Sequence, residues 1–152
     1  MKKTITNGPL ETAVRLLARR DHSEREMINK LKQIGHSSDE ISLVIEQLRQ
    51  KGYLDDAKIK RQTIEKLVSE QHYGLRMLVG KLRLKGLTVS SEEIRQFLSR
   101  EEEWKTAEKL VDKRFKSWDA ENYPKIARFL NNRGFSQEVL SQMAEKCLKH
   151  QQ

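Results

Sequence analysis

Three glycines set the terms for what this chain can fold into. Gly35, Gly86 and Gly134 are spaced by 51 and 48 residues, and the segments around them overlay as MINKLKQIGHSSDEISLVI, LVGKLRLKGLTVSSEEIRQFL and IARFLNNRGFSQEVLSQMA. A leucine stands four residues before each glycine (Leu31, Leu82, Leu130), and an apolar residue stands four before that (Met27, Leu78, Ile126). A serine follows (Ser37, Ser90, Ser136), and four residues beyond it comes Ile41, Ile94 or Leu140. Val44, Phe97, Met143 and then Ile45, Leu98, Ala144 form the next apolar columns. So many columns in register mark an internal repeat, which must be found before any fold is argued.

Each column has a physical reason. Apolar residues at i, i+3, i+4 and i+7 line one helix face. Glycine ends a helix because it adopts the left-handed conformation without a steric cost. Serine starts the next helix by accepting an orphan backbone N–H. Ser23-Glu24-Arg25-Glu26, Ser37-Ser38-Asp39-Glu40 and Ser90-Ser91-Glu92-Glu93 all read as capping boxes. A further helix precedes each pair, at about 9–21 (Ala13, Leu16 and Leu17 inward), 56–70 (Ile64, Leu67, Val68) and 100–117 (Ala107, Leu110, Val111, Phe115). The third spacing is longer, with an insertion near Ser117–Pro124. The expected fold class is all-α. Three tandem three-helix repeats, 1–54, 55–100 and 101–152, should form an elongated, curved stack, since each buries little alone.

Composition agrees. Pro9 and Pro124 are the two prolines, good helix formers dominate, and no run alternates in the manner of a strand. The single cysteine, Cys147, can form no internal bridge, which points to a reducing, cytoplasmic setting. No apolar run nears the roughly 20 residues that span a bilayer, and MKKTITNGPLET lacks a leader's apolar stretch. No membrane partner is expected.

The formal charge of +8 is unevenly placed. Residues 56–100 carry ten bases against five acids, while 101–152 carry ten against nine. No acid lies between Glu70 and Glu92. Inside that gap, in QHYGLRMLVGKLRLKG, Leu75, Leu78, Val79 and Leu82 share one helix face, and Met77, Gly80 and Leu84 lie opposite. Arg76, Lys81 and Arg83 border the two faces. Two readings stay open: Met77 and Leu84 meet an adjacent repeat, or they form an exposed apolar strip rimmed by cations and suited to an acidic partner.

Catalysis finds little footing. His22, His36, His72 and His150 are scattered, and His36 reads as a packing or turn residue. Cys147 occupies a core column, as a small hydrophobe would. No phosphate loop, dinucleotide fingerprint or HExxH is present, and no cofactor or metal is expected. Asp55 and Asp56 open a helix, where capping and the macrodipole favour acids. Sequence-specific reading of DNA is also disfavoured. The helices that would enter the groove begin Ser38-Asp39-Glu40 and Ser91-Glu92-Glu93, which would set carboxylates against a polyanion.

LLARRDHSEREMINKL, then GYLDD, then YGLRMLVGKLRLKG resemble the RecX family of recombination regulators, with similarity over nearly the whole chain. The resemblance implies tandem three-helix repeats. It also implies a protein that lodges in the helical groove of the RecA–DNA filament and inhibits strand exchange and ATP hydrolysis. By position, Arg19, Arg20, Asp21, His22 and Ser23 match the family's first turn. Gly52, Tyr53, Leu54, Asp55 and Asp56 match its inter-repeat junction, and Tyr73, Gly74, Arg76, Leu82, Lys85 and Gly86 its central basic helix. Leu75 stands where the family commonly has proline, and Ile59 where an aromatic is frequent. The expected function is that of a non-enzymatic, monomeric modulator of a RecA-type recombinase filament that touches DNA weakly and non-specifically. The partner-binding residues expected are Arg76, Lys81, Arg83 and Lys85, with Lys58, Lys60 and Arg61 and the apolar Met77 and Leu84. The alternative is a general, non-sequence-specific nucleic-acid-binding helical protein.

Overall fold

Nine α-helices and no strand occur among the described residues of the computed structural model, which are 7–149. The leader reading of residues 1–6 and His150 lie outside them. The helices are α1 (Pro9–Arg19), α2 (Glu24–Ile34), α3 (Ser38–Gln50), α4 (Asp56–Glu70), α5 (Leu75–Leu84), α6 (Ser91–Arg95), α7 (Arg100–Arg114), α8 (Tyr123–Asn132) and α9 (Gln137–Lys149). The first helix of the second repeat has the expected bounds. The other two end earlier: α1 stops at Arg19, and α7 stops where Phe115 turns extended. The pair around Gly86 is unequal, because α6 spans only five residues before Ser99 caps α7.

The two columns before the glycines are core columns, whereas Phe97, Leu140 and Ala144 of the later columns are half-buried. Met27, Leu31, Leu78, Leu82, Ile126 and Leu130 are all fully buried. Gly35, Gly86 and Gly134 have φ of 110°, 79° and 76°, the left-handed conformation that ends α2, α5 and α8. Ser37, Ser90 and Ser136 accept from the N–H groups of Glu40, Glu93 and Val139. The reciprocal box is complete at Ser23–Glu26. At Ser37 the acid does not reach back as its pattern promises; the Glu40 carboxylate sits 3.3 Å from His36 Nδ1 instead. A further complete box, Ser99–Glu102, starts α7 and has the same Ser-x-x-Glu signature.

The chain divides into two compact units. The first runs as far as Gln62 and takes in Leu84–Leu87; the second comprises Thr63–Arg83 and the chain from Thr88 onward. In the first, Ala13, Met27, Leu31, Ile41, Val44, Ile45, Leu48 and Leu54 form one core, with Leu16 and Leu17 against it. In the second, Ala107, Val111, Ile126, Leu130, Phe135, Val139, Met143 and Cys147 cluster, lined by Leu110, Phe115 and Leu140. Ile64, Leu75, Ile94 and Leu98 are buried as well.

Two glycines of one neighbourhood should respond oppositely to alanine. A Cβ on Gly134 would overlap the Met77 backbone and force a side chain to φ 76°; Gly134→Ala should cost about 2 kcal/mol or more. Gly80, inside α5, has open space where its Cβ would go; Gly80→Ala should stabilise by about 0.5–1 kcal/mol. Denaturant unfolding of the two variants measures both.

Candidate functional site

The polar residues singled out by sequence gather at two turns. In the first unit, Ser23 caps α2 and its Oγ accepts the Glu26 N–H at 3.1 Å. The same hydroxyl donates to the Lys85 carbonyl at 2.7 Å. Arg20 donates to Glu26 Oε2 at 2.9 Å and to the Asp21 carbonyl at 3.0 Å. Burial alone would raise the Glu26 carboxyl, but the bonds from Arg20 and the Ser23 N–H hold it below its ordinary value. Gly86 packs so closely here that a Cβ would stand 2.8 Å from Arg25 Cβ. The GYLDD segment closes the same unit. The N–H groups of Tyr53 and Leu54 both reach the Leu48 carbonyl while Gly52 takes φ 76°. Asp55 Oδ1 accepts from the Lys58 N–H, and Asp56 Oδ1 from the Glu24 N–H. Asp55 caps the helix it precedes, as its position in the sequence suggested, whereas Asp56 caps the start of α2 instead of its own helix.

The second unit holds the equivalent arrangement. Helix α5 has no serine cap. Its leading N–H groups, from Gly74 and Arg76, donate to the carbonyls of Arg133 (3.0 Å) and Gly134 (2.8 Å). Leu75, at the family's proline position, is buried, and neither of these bonds uses its N–H. The Arg76 guanidinium donates to Asn131 Oδ1 at 2.7 Å and to the Phe135 carbonyl at 3.1 Å. A Cβ on Gly74 would overlap the Phe135 backbone. Sequence reasoning missed Glu103, which is fully buried. Its Oε1 accepts the Ser136 N–H at 2.8 Å, and Arg95 Nη1 lies 2.7 Å from Oε2 as an ion pair without hydrogen-bond alignment. The triplet Glu101–Glu103 reads as a solvated acidic helix start, so only its fold position could reveal this residue.

The expected partner-binding residues therefore have different surroundings. Arg76 is exposed, but its guanidinium is bonded to the Asn131–Phe135 turn, and the Met77 backbone lies against Gly134. Lys81 Nζ stands 4.3 Å from the Tyr73 ring centroid, a cation–π pair. Arg83 is exposed. In the first unit, Lys58, Arg61 and Lys85 are exposed, Lys60 is half-buried, and Leu84 is 88% exposed.

The remaining titratable candidates sit in structural settings. His22 is buried, with Nδ1 2.9 Å from the Arg20 carbonyl and Nε2 without a partner. Burial lowers its pKa. His36 is buried too. Cys147 is fully buried, and burial pushes its thiol up. Among the described residues, no group of three His, Cys, Asp or Glu side chains could hold a metal ion. Nor is any helix there long and apolar enough to cross a membrane.

An architecture of three-helix repeats, each with a left-handed glycine ending its middle helix, defines a helical-repeat protein. Two family descriptions match its parts: "RecX, first three-helix domain" over residues 10–48 and "RecX, third three-helix domain" over 101–142. The chain is 33% identical over 143 residues to the regulatory protein RecX of Acidithiobacillus ferrooxidans, covering 92% of this chain and 91% of that one. It is 34% identical over 134 residues to RecX of Vibrio vulnificus, covering 86% of each. The chain belongs to the RecX family. The crystal structure of RecX from Lactobacillus salivarius shares the fold at a TM-score of 0.74 and 18% identity, covering 91% of this chain and 94% of that one.

Arg76→Ala should leave three carbonyl and amide acceptors of the Asn131–Phe135 turn short of donors, costing about 1–3 kcal/mol. Amide exchange should quicken first at Gly74, Arg76 and Phe135, and equal protection there would refute the clamp. His22 gives a pH test. Its pKa is lower folded than unfolded, so the unfolded chain binds the extra proton first as pH falls. Stability should be full above about pH 6.5 and decline below it, through the folded pKa. His22→Leu should flatten that part of the stability–pH curve.

Proposed function

We propose that this chain is a non-enzymatic, cytoplasmic regulator that binds a RecA-type recombinase filament in its helical groove and restrains ATP hydrolysis and strand exchange. The observation that carries this reading is likeness from end to end: about one residue in three is shared with proteins named as RecX regulators over 92% of the chain. The polar residues of the family motifs serve the chain's own turns, which suits a scaffold for binding better than a reaction centre. On this reading the chain acts as a monomer, with the repeats 1–54, 55–100 and 101–152 each contributing weak contacts. Contacts of this kind, made to successive filament subunits, sum through effective concentration.

The cations proposed to meet acidic groups of the filament are Lys81 and Arg83 in one unit and Lys58, Lys60, Arg61 and Lys85 in the other. Arg76 supports them by fixing its turn. The experiment is the DNA-dependent ATPase of RecA at substoichiometric amounts of this protein, with DNA binding measured in parallel. Inhibition is expected well below the amount that coats the DNA; inhibition only at coating would favour general nucleic-acid binding instead. Lys81→Glu/Arg83→Glu and, separately, Lys58→Glu/Arg61→Glu should each raise the half-inhibitory concentration about tenfold, equal to about 1.4 kcal/mol. Helical circular dichroism should be unchanged. Undiminished inhibition by both would sink the assignment of these cations.

A further inference from the structure

The insertion near Ser117–Pro124 belongs to the third repeat alone. In the structure it is a closely bonded turn centred on Asp119. Oδ1 accepts the Asn122 N–H at 2.8 Å, Oδ2 accepts the Ser117 hydroxyl at 2.7 Å, and the Asn122 amide donates to Ser117 Oγ at 2.9 Å. The Asn122 and Ser117 bonds hold the Asp119 carboxyl below its ordinary range. This turn presents Trp118, half-buried, as a wall of an open cleft of about 1270 Å³.

Cations from separate elements converge on that cleft. The end of α7 supplies Lys113 and Arg114, the following segment Lys116, and α9 supplies Lys146 and Lys149. Lys146 Nζ lies 5.1 Å from the Trp104 ring centroid and 5.6 Å from that of Trp118. Residues 101–152 are nearly neutral in sequence, yet five of their bases line the cleft against Glu108, Asp112 and Asp119. Two of those acids are already engaged, Glu108 by Lys146 and Asp119 by its own turn. Lys113, Lys116 and Lys149 are exposed and make no ion pair among the described residues. Helix macrodipoles account for cations at the ends of α7 and α9. They do not account for Lys116, or for an insertion rigidified around a tryptophan.

We propose that this cleft binds a single strand of nucleic acid, with Trp118 stacking on a base and Lys113, Lys116 and Lys149 pairing with the flanking phosphates. An unpaired base offers the ring face that a duplex hides, and an acidic peptide offers charge without the ring. The inference deepens the reading above, which leaves nucleic-acid contact without a place on the chain. Its test contains no recombinase, so either can fail alone.

The full chain is titrated into a fluorescein-labelled oligodeoxythymidylate of about 15 nucleotides, followed by anisotropy across a salt series. Lys113→Ala/Lys116→Ala/Lys149→Ala should weaken binding about tenfold and flatten the slope of log affinity against log salt by about 2. Trp118→Ala should weaken binding about tenfold with the slope kept, and Trp118→Phe should recover most of it. Helical dichroism and the melting temperature are checked for each variant. Should Trp118→Ala unfold the turn, the exposed lysine variant and the quenching of tryptophan fluorescence by the unlabelled oligonucleotide decide. Wild-type affinity and slope in the lysine variant would overturn the proposal. So would a duplex or polyglutamate of equal length that binds as tightly as the single strand.

Discussion

The carbonyls that end one helix find their donors at the start of another, and the repeat depends on that match. A helix leaves its last carbonyls and first N–H groups without internal partners. Here the Lys85 carbonyl takes the Ser23 hydroxyl, the Arg133 carbonyl takes the Gly74 N–H, and the Gly134 carbonyl takes the Arg76 N–H. The positions correspond. Lys85 and Arg133 each precede a turn glycine, while Ser23 and Gly74 each stand twelve residues before the glycine of their own repeat. A small residue is required at that place because the turn comes into contact with it. In the third repeat the corresponding residue is Asn122, and two residues on stands Pro124, which has no N–H to give. The third repeat therefore lacks the N–H that Arg76 gives in the second.

Charge has to be read after this bonding is accounted for. Arg76 counts toward the basic middle of the sequence, yet its guanidinium is bound to Asn131 and Phe135. Arg20 is tied to Glu26, and Arg95 lies against the buried Glu103. Arg20 and Arg76 are exposed, yet each guanidinium is already held by acceptors of the chain itself, and that bonding must be given up before they can serve a partner. The third repeat shows the opposite effect. Its near-neutral sequence conceals a local excess, because α7 and α9 bring cations to one cleft while Glu108 pairs with Lys146 and Asp119 is bonded in its own turn.

Periodicity and turn chemistry made the helices legible. Apolar columns of period 3.6, ended by glycine and restarted by serine, specify helix–turn–helix wherever they occur, because both signals act within a few residues. The six residues of the two columns preceding the glycines are all fully buried. Local rules failed where a distant group competed. Glu40 matches the capping box but pairs with His36, and Glu103 sits in an acidic helix start yet is wholly enclosed, accepting a bond from Ser136. Leu84 and Met77 share a helix face in the sequence pattern; one is exposed, and the other has its backbone pressed on Gly134.

The sequence by itself determined the all-helical class, the three-fold repeat, the turn glycines and the family, since each rests on residue types at short, fixed spacings. Only the tertiary structure decided which cations are bonded to the protein's own carbonyls. For Arg76 and Arg133 the carbonyl acceptors lie 55 and 61 residues away, and no local pattern encodes them.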